Sequence, residues 1–310
     1  MKEIKVKEKE EGQRLDKYLK RLLPLAKPSL LYKMLRKKNI LLNRHKAEGS
    51  EKLNAGDTVT LYFSDESFDK LSQRKEETVA VELPVNPEVL FETEDLLILD
   101  KPAGILSQRA KAEDISLNEW LRDRYPAEGN YRPSCLNRLD RNTSGLVLAA
   151  KNLKGAMEGS RWLAEGTLTK RYRALVVGRP DDRIEGSAYL VKDRKTNLVR
   201  VSETKDSAEE GSSLIRFCYE RIKTIDRYSL LSITILTGKS HQIRAHLSML
   251  GFPILGDPKY GDSAENRLWK KRTGLDRQLL HAAELVLPTG ERIRSDLPAD
   301  FLRVMEALEK

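Results

Sequence analysis

Residues 137–150 read Asn-Arg-Leu-Asp-Arg-Asn-Thr-Ser-Gly-Leu-Val-Leu-Ala-Ala, so a single carboxylate, Asp140, stands between Arg138 and Arg141 and the loop runs without a spacer into apolar residues. The short apolar stretch 145–150 suits a strand buried on both faces, which places the loop before it at the edge of a core. Flanking guanidiniums favour the ionised carboxylate, and an ionised oxygen beside a hydrophobic wall can act as nucleophile or base. The same residues could equally form an ordinary surface turn whose Arg-Asp pairs contribute little.

Two further stretches carry groups that could join Asp140. In 170–178, Lys-Arg-Tyr-Arg-Ala-Leu-Val-Val-Gly, alternation puts Tyr172, Ala174 and Val176 on one face of a strand. Tyr172 could stack on a planar base and help move a proton, or it could be a core residue. In 237–247, Thr-Gly-Lys-Ser-His-Gln-Ile-Arg-Ala-His-Leu, Ser240 suits a cap for a helix with Ile243, Leu247 and Leu250 inside and Gly251 after it. Lys239 and Arg244, with His241 as a third candidate, then gather at the helix start, where the dipole disfavours cations. They make a place for a phosphate, or for the carboxylate of Asp140, unless they are a solvated basic turn. His241 and His246 are five apart and do not share a helical face, and no Gly-rich phosphate loop or dinucleotide fingerprint is present, so neither a metal nor a cofactor is expected.

The elements that must position these groups follow from pattern. Strands are expected at 96–99, 145–150, 171–177, 230–236 and 284–287, and helices at 116–124, 153–164, 240–250 and 298–309. Strict βαβ alternation is lacking, which favours an α+β domain on a mostly antiparallel or mixed sheet flanked by helices and loops. Upstream, Leu15, Tyr18, Leu19, Leu22 and Leu23 repeat at helical spacing, and a second basic helix from about Ser29 leads into Ile40-Leu41-Leu42. The polar stretch 64–84 reads as a linker. The expected organisation is a small α+β module at 1–63, the linker, and a catalytic domain at 85–310.

Of a formal net charge of +9 over 310 residues, most sits at the start: residues 1–63 hold sixteen Lys or Arg against eight Asp or Glu. A small basic piece on a nearly neutral body points to a module for a polyanion. Lys33, Arg36, Lys37, Lys38, Arg44 and Lys46 are its candidate RNA contacts. Two distant cysteines, a start without an apolar signal region and the lack of any long apolar run fit a reducing, cytoplasmic setting and no membrane role.

The ordered motifs carry a family resemblance. Arg138-Leu139-Asp140-Arg141-Asn142-Thr143-Ser144-Gly145, followed by Ala149-Ala150-Lys151, resembles the signature of the RluA family of pseudouridine synthases. The blocks 99–104, 170–174, 237–247, 251–257 and 280–282 agree in the family's order, from about Val89 to the C-terminus. Residues from Gly12 to about Tyr62 resemble the small RNA-binding domain of the ribosomal protein S-four type. The resemblance implies that Asp140 is the catalytic aspartate, Tyr172 the active-site tyrosine and Arg244 the basic partner of that aspartate. It implies that Arg138 helps displace the target base and that Lys239, His241 and Gln242 face the substrate. Asn137 stands where many members have histidine, and Lys239-Ser240 where Arg-Thr is common, which bears on substrate fit. The implied activity is isomerisation of uridine in RNA, ribosomal RNA of the large subunit first and transfer RNA second, without a cofactor; a monomer is the default expectation. A non-catalytic RNA-binding or ribosome-assembly protein, or a sugar hydrolase using Asp140 with a second carboxylate, are the competing readings.

Overall fold

In this computed structural model, which describes residues 1–72, 82–111, 113–128, 131–193, 198–205 and 211–310, amphipathic pattern and observed burial coincide in the N-terminal part. Strand β1 (Lys2–Lys5) is followed by helices α1 (Leu15–Leu22) and α2 (Pro28–Arg36), strands β2 (Ile40–Leu42), β3 (His45–Lys46) and β4 (Thr58–Leu61), and helix α3 (Asp65–Ser72). The strands form an antiparallel sheet in the order β1-β4-β2-β3. Leu15, Tyr18 and Leu19 of α1 and Leu31 and Leu35 of α2 bury against Ile40, Leu53, Val59 and Leu61. Proline at the first turn of α2 loses no hydrogen bond there, since that N–H has no helical partner anyway.

The stretch expected to be a linker is in part structured. Phe68 and Leu71 of α3, three apart and so on one face, pack with Phe63 against the small core, and Phe63 and Phe68 stack at 6.5 Å. Polar neighbours hid this apolar pair from a composition argument. The rest of that stretch, 73–81, lies outside the described residues.

The remaining strands are β5 (Glu88–Glu92), β6 (Leu96–Lys101), β7 (Ser134–Cys135), β8 (Ser144–Ala150), β9 (Thr169–Val177), β10 (Arg183–Lys192), β11 (Val199–Ser202), β12 (Ser213–Ile225), β13 (Tyr228–Ile235), β14 (Leu280–Val286) and β15 (Arg292–Arg294). Among the described residues they form one sheet ordered β11-β10-β12-β13-β9-β14-β8-β6-β5, with β15 on β14 and β7 on β8. Only β14 and β8 run parallel among these pairings. The fold is therefore α+β with a mixed, mostly antiparallel sheet, as expected.

Helices α4 (Leu117–Arg124), α5 (Leu153–Glu165), α6 (Gln242–Met249), α7 (Ser263–Thr273) and α8 (Ala299–Leu308) flank the sheet. Residues along β6 and β8 alternate between two cores. Leu97, Leu99, Val147 and Ala149 join Leu117, Trp120 and Leu121 of α4 and Ile243 and Leu247 of α6. Leu96, Ile98, Leu146 and Leu148 join Trp162 of α5. Every residue of β8 is buried, because an apolar strand at the sheet centre is covered on both sides. No helix among the described residues is long and apolar enough to cross a membrane.

Register then aligns the residues of interest. Lys101 pairs with Gly145, Gly145 with Ala282, Ala282 with Tyr172 and Tyr172 with Ile233, one row across five strands. Gly145 permits the close β8–β14 approach. A Cβ there would lie 2.3 Å from the Ala282 carbonyl oxygen, and its φ of +107° disfavours any side chain.

Candidate active site

The turn carrying Asp140 is closed by Thr143 N–H donating to the Asp140 carbonyl at 3.0 Å. Its neighbours are tied down one by one. The Leu139 N–H donates to Ser107 Oγ at 3.1 Å, and the Arg141 carbonyl accepts from Lys101 Nζ at 3.0 Å and from the Gly104 N–H at 2.9 Å. Arg277 Nη1 donates to the Asn142 carbonyl at 3.1 Å, Gln278 Nε2 to Thr143 Oγ1 at 3.2 Å, and Ser144 Oγ meets His281 Nδ1 at 2.9 Å. Such redundancy fixes the direction in which Asp140 leaves the backbone.

Lys101 is the most deeply buried of these clamps. Its ammonium also donates to the carbonyls of Pro102 and Ile105, each at 2.9 Å. Burial first, and then the charge of Arg277, push its pKa down to about 7.

Opposite the turn, α6 presents Arg244 from a buried position. Nη1 donates to Asp140 Oδ2 at 2.7 Å, while Nε and Nη2 grip Asp257 Oδ2 and Oδ1 at 2.7 and 2.9 Å. Burial works against the charge on Arg244, but the hydrogen bonds and charge of Asp257, and then those of Asp140, raise its pKa overall. Burial likewise pushes Asp257 up, yet Arg244 and the N–H groups of Lys259 and Tyr260 hold it below the usual carboxylate range. Asp140 Oδ1 makes no hydrogen bond among the described residues, and the side chain remains 26% exposed. One oxygen is held and the other is free to react.

Two expectations need correction. Asp140 is not paired with its neighbouring arginines: Arg141 reaches Asp114 at 3.4 Å, and Arg138 is exposed with no hydrogen bond or ion pair among the described residues. Their Cα positions flank Asp140, but the turn sends the side chains apart, and the partner comes from 104 residues further on. Nor does Ser240 cap α6. His241 occupies that position at φ 54°, ψ 18° without a side-chain cap bond, and Gln242 Oε1 instead gathers Thr237 Oγ1 at 2.9 Å and the Lys239 N–H at 3.1 Å.

Tyr172 is 7% exposed, in the same core as Leu139 and Ile243. Its hydroxyl makes no hydrogen bond among the described residues, and burial, then the charge of Asp140, keep it protonated by raising its pKa. The structure thus brings Asp140, Tyr172 and Arg244 together, with His241 close enough for Asp140 to act on its titration. Gln242 is buried, and its Nε2 has no partner among the described residues. Lys33, Arg36, Lys37, Lys38, Arg44 and Lys46 are all exposed on α2, on β3 and in the turns beside β2, far from this cluster in the chain and around the separate four-stranded sheet.

Sequence reasoning passed over Asp257, Lys101 and Tyr260 as site residues. The signal for Asp257 was a carboxylate one glycine after the apolar run Phe-Pro-Ile-Leu, which demands a buried partner. Asp257 is locked on both oxygens by Arg244, so it cannot serve as the second free carboxylate that a hydrolase would use.

A family model described as RNA pseudouridylate synthase matches residues 95–249, half of the chain, and that span includes Asp140, Tyr172 and Arg244. The chain is 32% identical over 306 residues to Ribosomal large subunit pseudouridine synthase C of Escherichia coli, covering 94% of this chain and 91% of the relative. It is 28% identical over 300 residues to the protein of the same name from Rickettsia conorii, covering 94% and 96%. Among solved structures, Human RNA Pseudouridylate Synthase Domain Containing 4 shares the fold at a TM-score of 0.58 and 22% identity, over 71% of this chain and 92% of that one. Motif order, matched span and relatives along nearly the full length agree: this chain belongs to the RNA pseudouridylate synthase family.

Proposed function

We propose that the chain isomerises uridines of large-subunit ribosomal RNA to pseudouridine, with Asp140 as the catalytic group, Arg244 as its electrostatic partner and Tyr172 beneath the base. The observation that carries this reading is the divided carboxylate: Oδ2 fixed by Arg244 at 2.7 Å and Oδ1 without a partner among the described residues, on a turn anchored at nearly every residue. Asp140 attacks the ribose or removes a sugar proton, the bond to nitrogen breaks, and the freed uracil turns and rejoins through carbon five. Because burial keeps the Tyr172 hydroxyl protonated, it does not act as a phenolate base: its oxygen takes the proton leaving carbon five as its own O–H proton passes to water.

A stacked uridine must first leave its helix, at about a few kcal/mol. Arg138, exposed, two residues from Asp140 and without a hydrogen bond or ion pair among the described residues, fills the space left behind. Lys239, His241 and the free Nε2 of Gln242 offer donors to the nucleotide at the start of α6. Ribosomal RNA is favoured by the names of the relatives, and transfer RNA is the second choice.

The N-terminal 63 residues serve as an RNA-binding domain of the ribosomal protein S-four type. Their concentrated charge and the six exposed basic side chains support this. Free thiols at Cys135 and Cys218 fit a cytoplasmic protein, and we take it to act as a monomer.

Tritium release from RNA labelled at carbon five of uridine tests the reading. The chain should release tritium from large-subunit ribosomal RNA, and Asp140→Asn should not. Full turnover by Asp140→Asn would remove Asp140 from the chemistry. Tight binding without release would favour a binding protein, and release only from transfer RNA would move the substrate.

A further inference from the structure

Tyr260 lies between α6 and the edge strand β11, and its hydroxyl has two partners there. The Val199 N–H donates to it at 2.9 Å, and His241 Nδ1 lies 2.9 Å away on the other side. A phenol has one proton. With its oxygen already accepting from Val199, that proton is satisfied only by an acceptor, and Nδ1 is an acceptor only when the imidazole is neutral and carries its hydrogen on Nε2. Burial favours the phenol over the phenolate, so the donor is always present. The His241 and Tyr260 rings meet edge to face at 5.6 Å, which leaves the imidazole little room to flip.

We propose that Tyr260 is a positioning residue for the isomerisation, locking His241 in the neutral tautomer whose Nε2–H is free to donate to the bound RNA. The proposal rests on the reading of this cluster as the uridine site. The charged groups acting on His241 are Asp140 from the turn before β8, Arg244 from α6, Lys259 from the segment after Asp257, and Lys192 from β10. An imidazolium among three cations would compete with Arg244 for the one carboxylate they share. A neutral donor leaves the Asp140–Arg244 pair intact while offering a hydrogen bond to a uracil carbonyl or a phosphate oxygen. His241 Nε2 makes no hydrogen bond among the described residues, so it is unclaimed. Tyr260 also steadies the rest of the site: its own N–H donates to Asp257 Oδ1 at 3.1 Å, and the Arg244 guanidinium lies over its ring at 5.3 Å. One residue thereby links the arginine and the histidine.

The test is Tyr260→Phe in the full-length chain, read by nitrogen NMR of histidine-labelled protein. His241 is assigned by the signal that disappears in His241→Asn, a residue that tolerates the left-handed backbone there. In the parent, His241 should show an unprotonated Nδ1 and a protonated Nε2. In Tyr260→Phe that preference should vanish, and kcat/KM for tritium release should fall about 10-fold, the worth of one hydrogen bond. In the His241→Asn background the same change should cost less than about 2-fold. Unchanged His241 nitrogens in Tyr260→Phe, or an equal loss with and without His241, would overturn the proposal. Absence of tritium release from the parent would count against the function instead, because the tautomer is read without turnover.

Discussion

Arg244 joins two carboxylates that have opposite surroundings: Asp257, fully buried and gripped on both oxygens, and Asp140, part-exposed and gripped on one. The buried half of this relay is structural. Two hydrogen bonds to Asp257 and two more from backbone N–H groups to Asp257 compensate for desolvating the pair. The guanidinium plane is then already fixed when its third donor reaches Asp140, so the pairing costs little further ordering.

Arg244→Lys keeps the charge and loses the fork. A point ammonium can satisfy Asp257 or Asp140 but not both in the observed geometry. We expect kcat to fall about 100-fold or more, in line with losses of a preorganised electrostatic partner, and stability to fall by about 3 kcal/mol from the imperfectly paired Asp257. Single-turnover tritium release and urea unfolding measure the two effects. A variant with wild-type kcat would show that charge alone suffices.

Gly145→Ala tests the strand row that aligns the site. The added methyl would lie 2.3 Å from the carbonyl oxygen and 2.6 Å from the nitrogen of Ala282, at a backbone φ of +107°. Gly290 has nearly the same φ, +106°, with nothing near its Cβ position. We expect Gly290→Ala to cost about 1 kcal/mol from backbone strain and Gly145→Ala about 3 kcal/mol or more, since steric displacement adds to it. Equal unfolding midpoints would mean that β8 and β14 can separate without cost.

Much of this arrangement was legible because buried strands and amphipathic helices leave direct patterns. The run from 144 to 150 is apolar at nearly every position, and β9 alternates Tyr172, Ala174 and Val176 inward as read. Strands β10 and β12 were not legible. They project with much of both faces in solvent, and charged pairs such as Arg183 with Glu185 and Glu220 replace the apolar alternation. Helix α7 was missed although its ends were written: Asp262 caps the N–H groups of Ala264 and Glu265, and Gly274 closes it at φ 78°. Only Glu265 and Trp269 are buried along it, so it has no apolar stripe. Local pattern offered Arg244 to either a phosphate or the carboxylate of Asp140; choosing between them depends on how β8, β9 and α6 meet.

A buried histidine on α6, paired with Tyr219 of β12, should make stability fall in mild acid. Nδ1 of His246 lies 2.6 Å from the Tyr219 hydroxyl, which burial keeps protonated, and burial pushes the His246 pKa down from 6.5 to about 4. The folded value lies below the unfolded one, so between them the unfolded chain binds the extra proton. His246 therefore contributes its full share above about pH 6.5 and loses it as the pH falls towards about 4. From pH 7 to 5 the parent should lose about 2 kcal/mol more than His246→Gln, measured by urea unfolding at each pH. Parallel losses would place the titration elsewhere.

The basic face of the N-terminal module should govern how firmly RNA is held, not how fast it is converted. Lys33 and Arg36 are exposed on α2 and engage no carboxylate among the described residues, so each is free to meet a phosphate. Lys223 on β12 is spent on Glu309 and serves as the control. Removing one cation that neutralises a phosphate should flatten the dependence of log affinity on log salt by about 0.7 to 0.9. Lys33→Glu with Arg36→Glu should thus weaken binding of structured ribosomal RNA about 10-fold or more at moderate salt and reduce the slope by about 1.5, while Lys223→Glu changes neither. Turnover of a short stem-loop that carries the target uridine should stay within about 2-fold of the parent for both variants, because neither touches the Asp140 turn. Unchanged affinity and slope in the double variant would assign RNA holding to the catalytic domain alone.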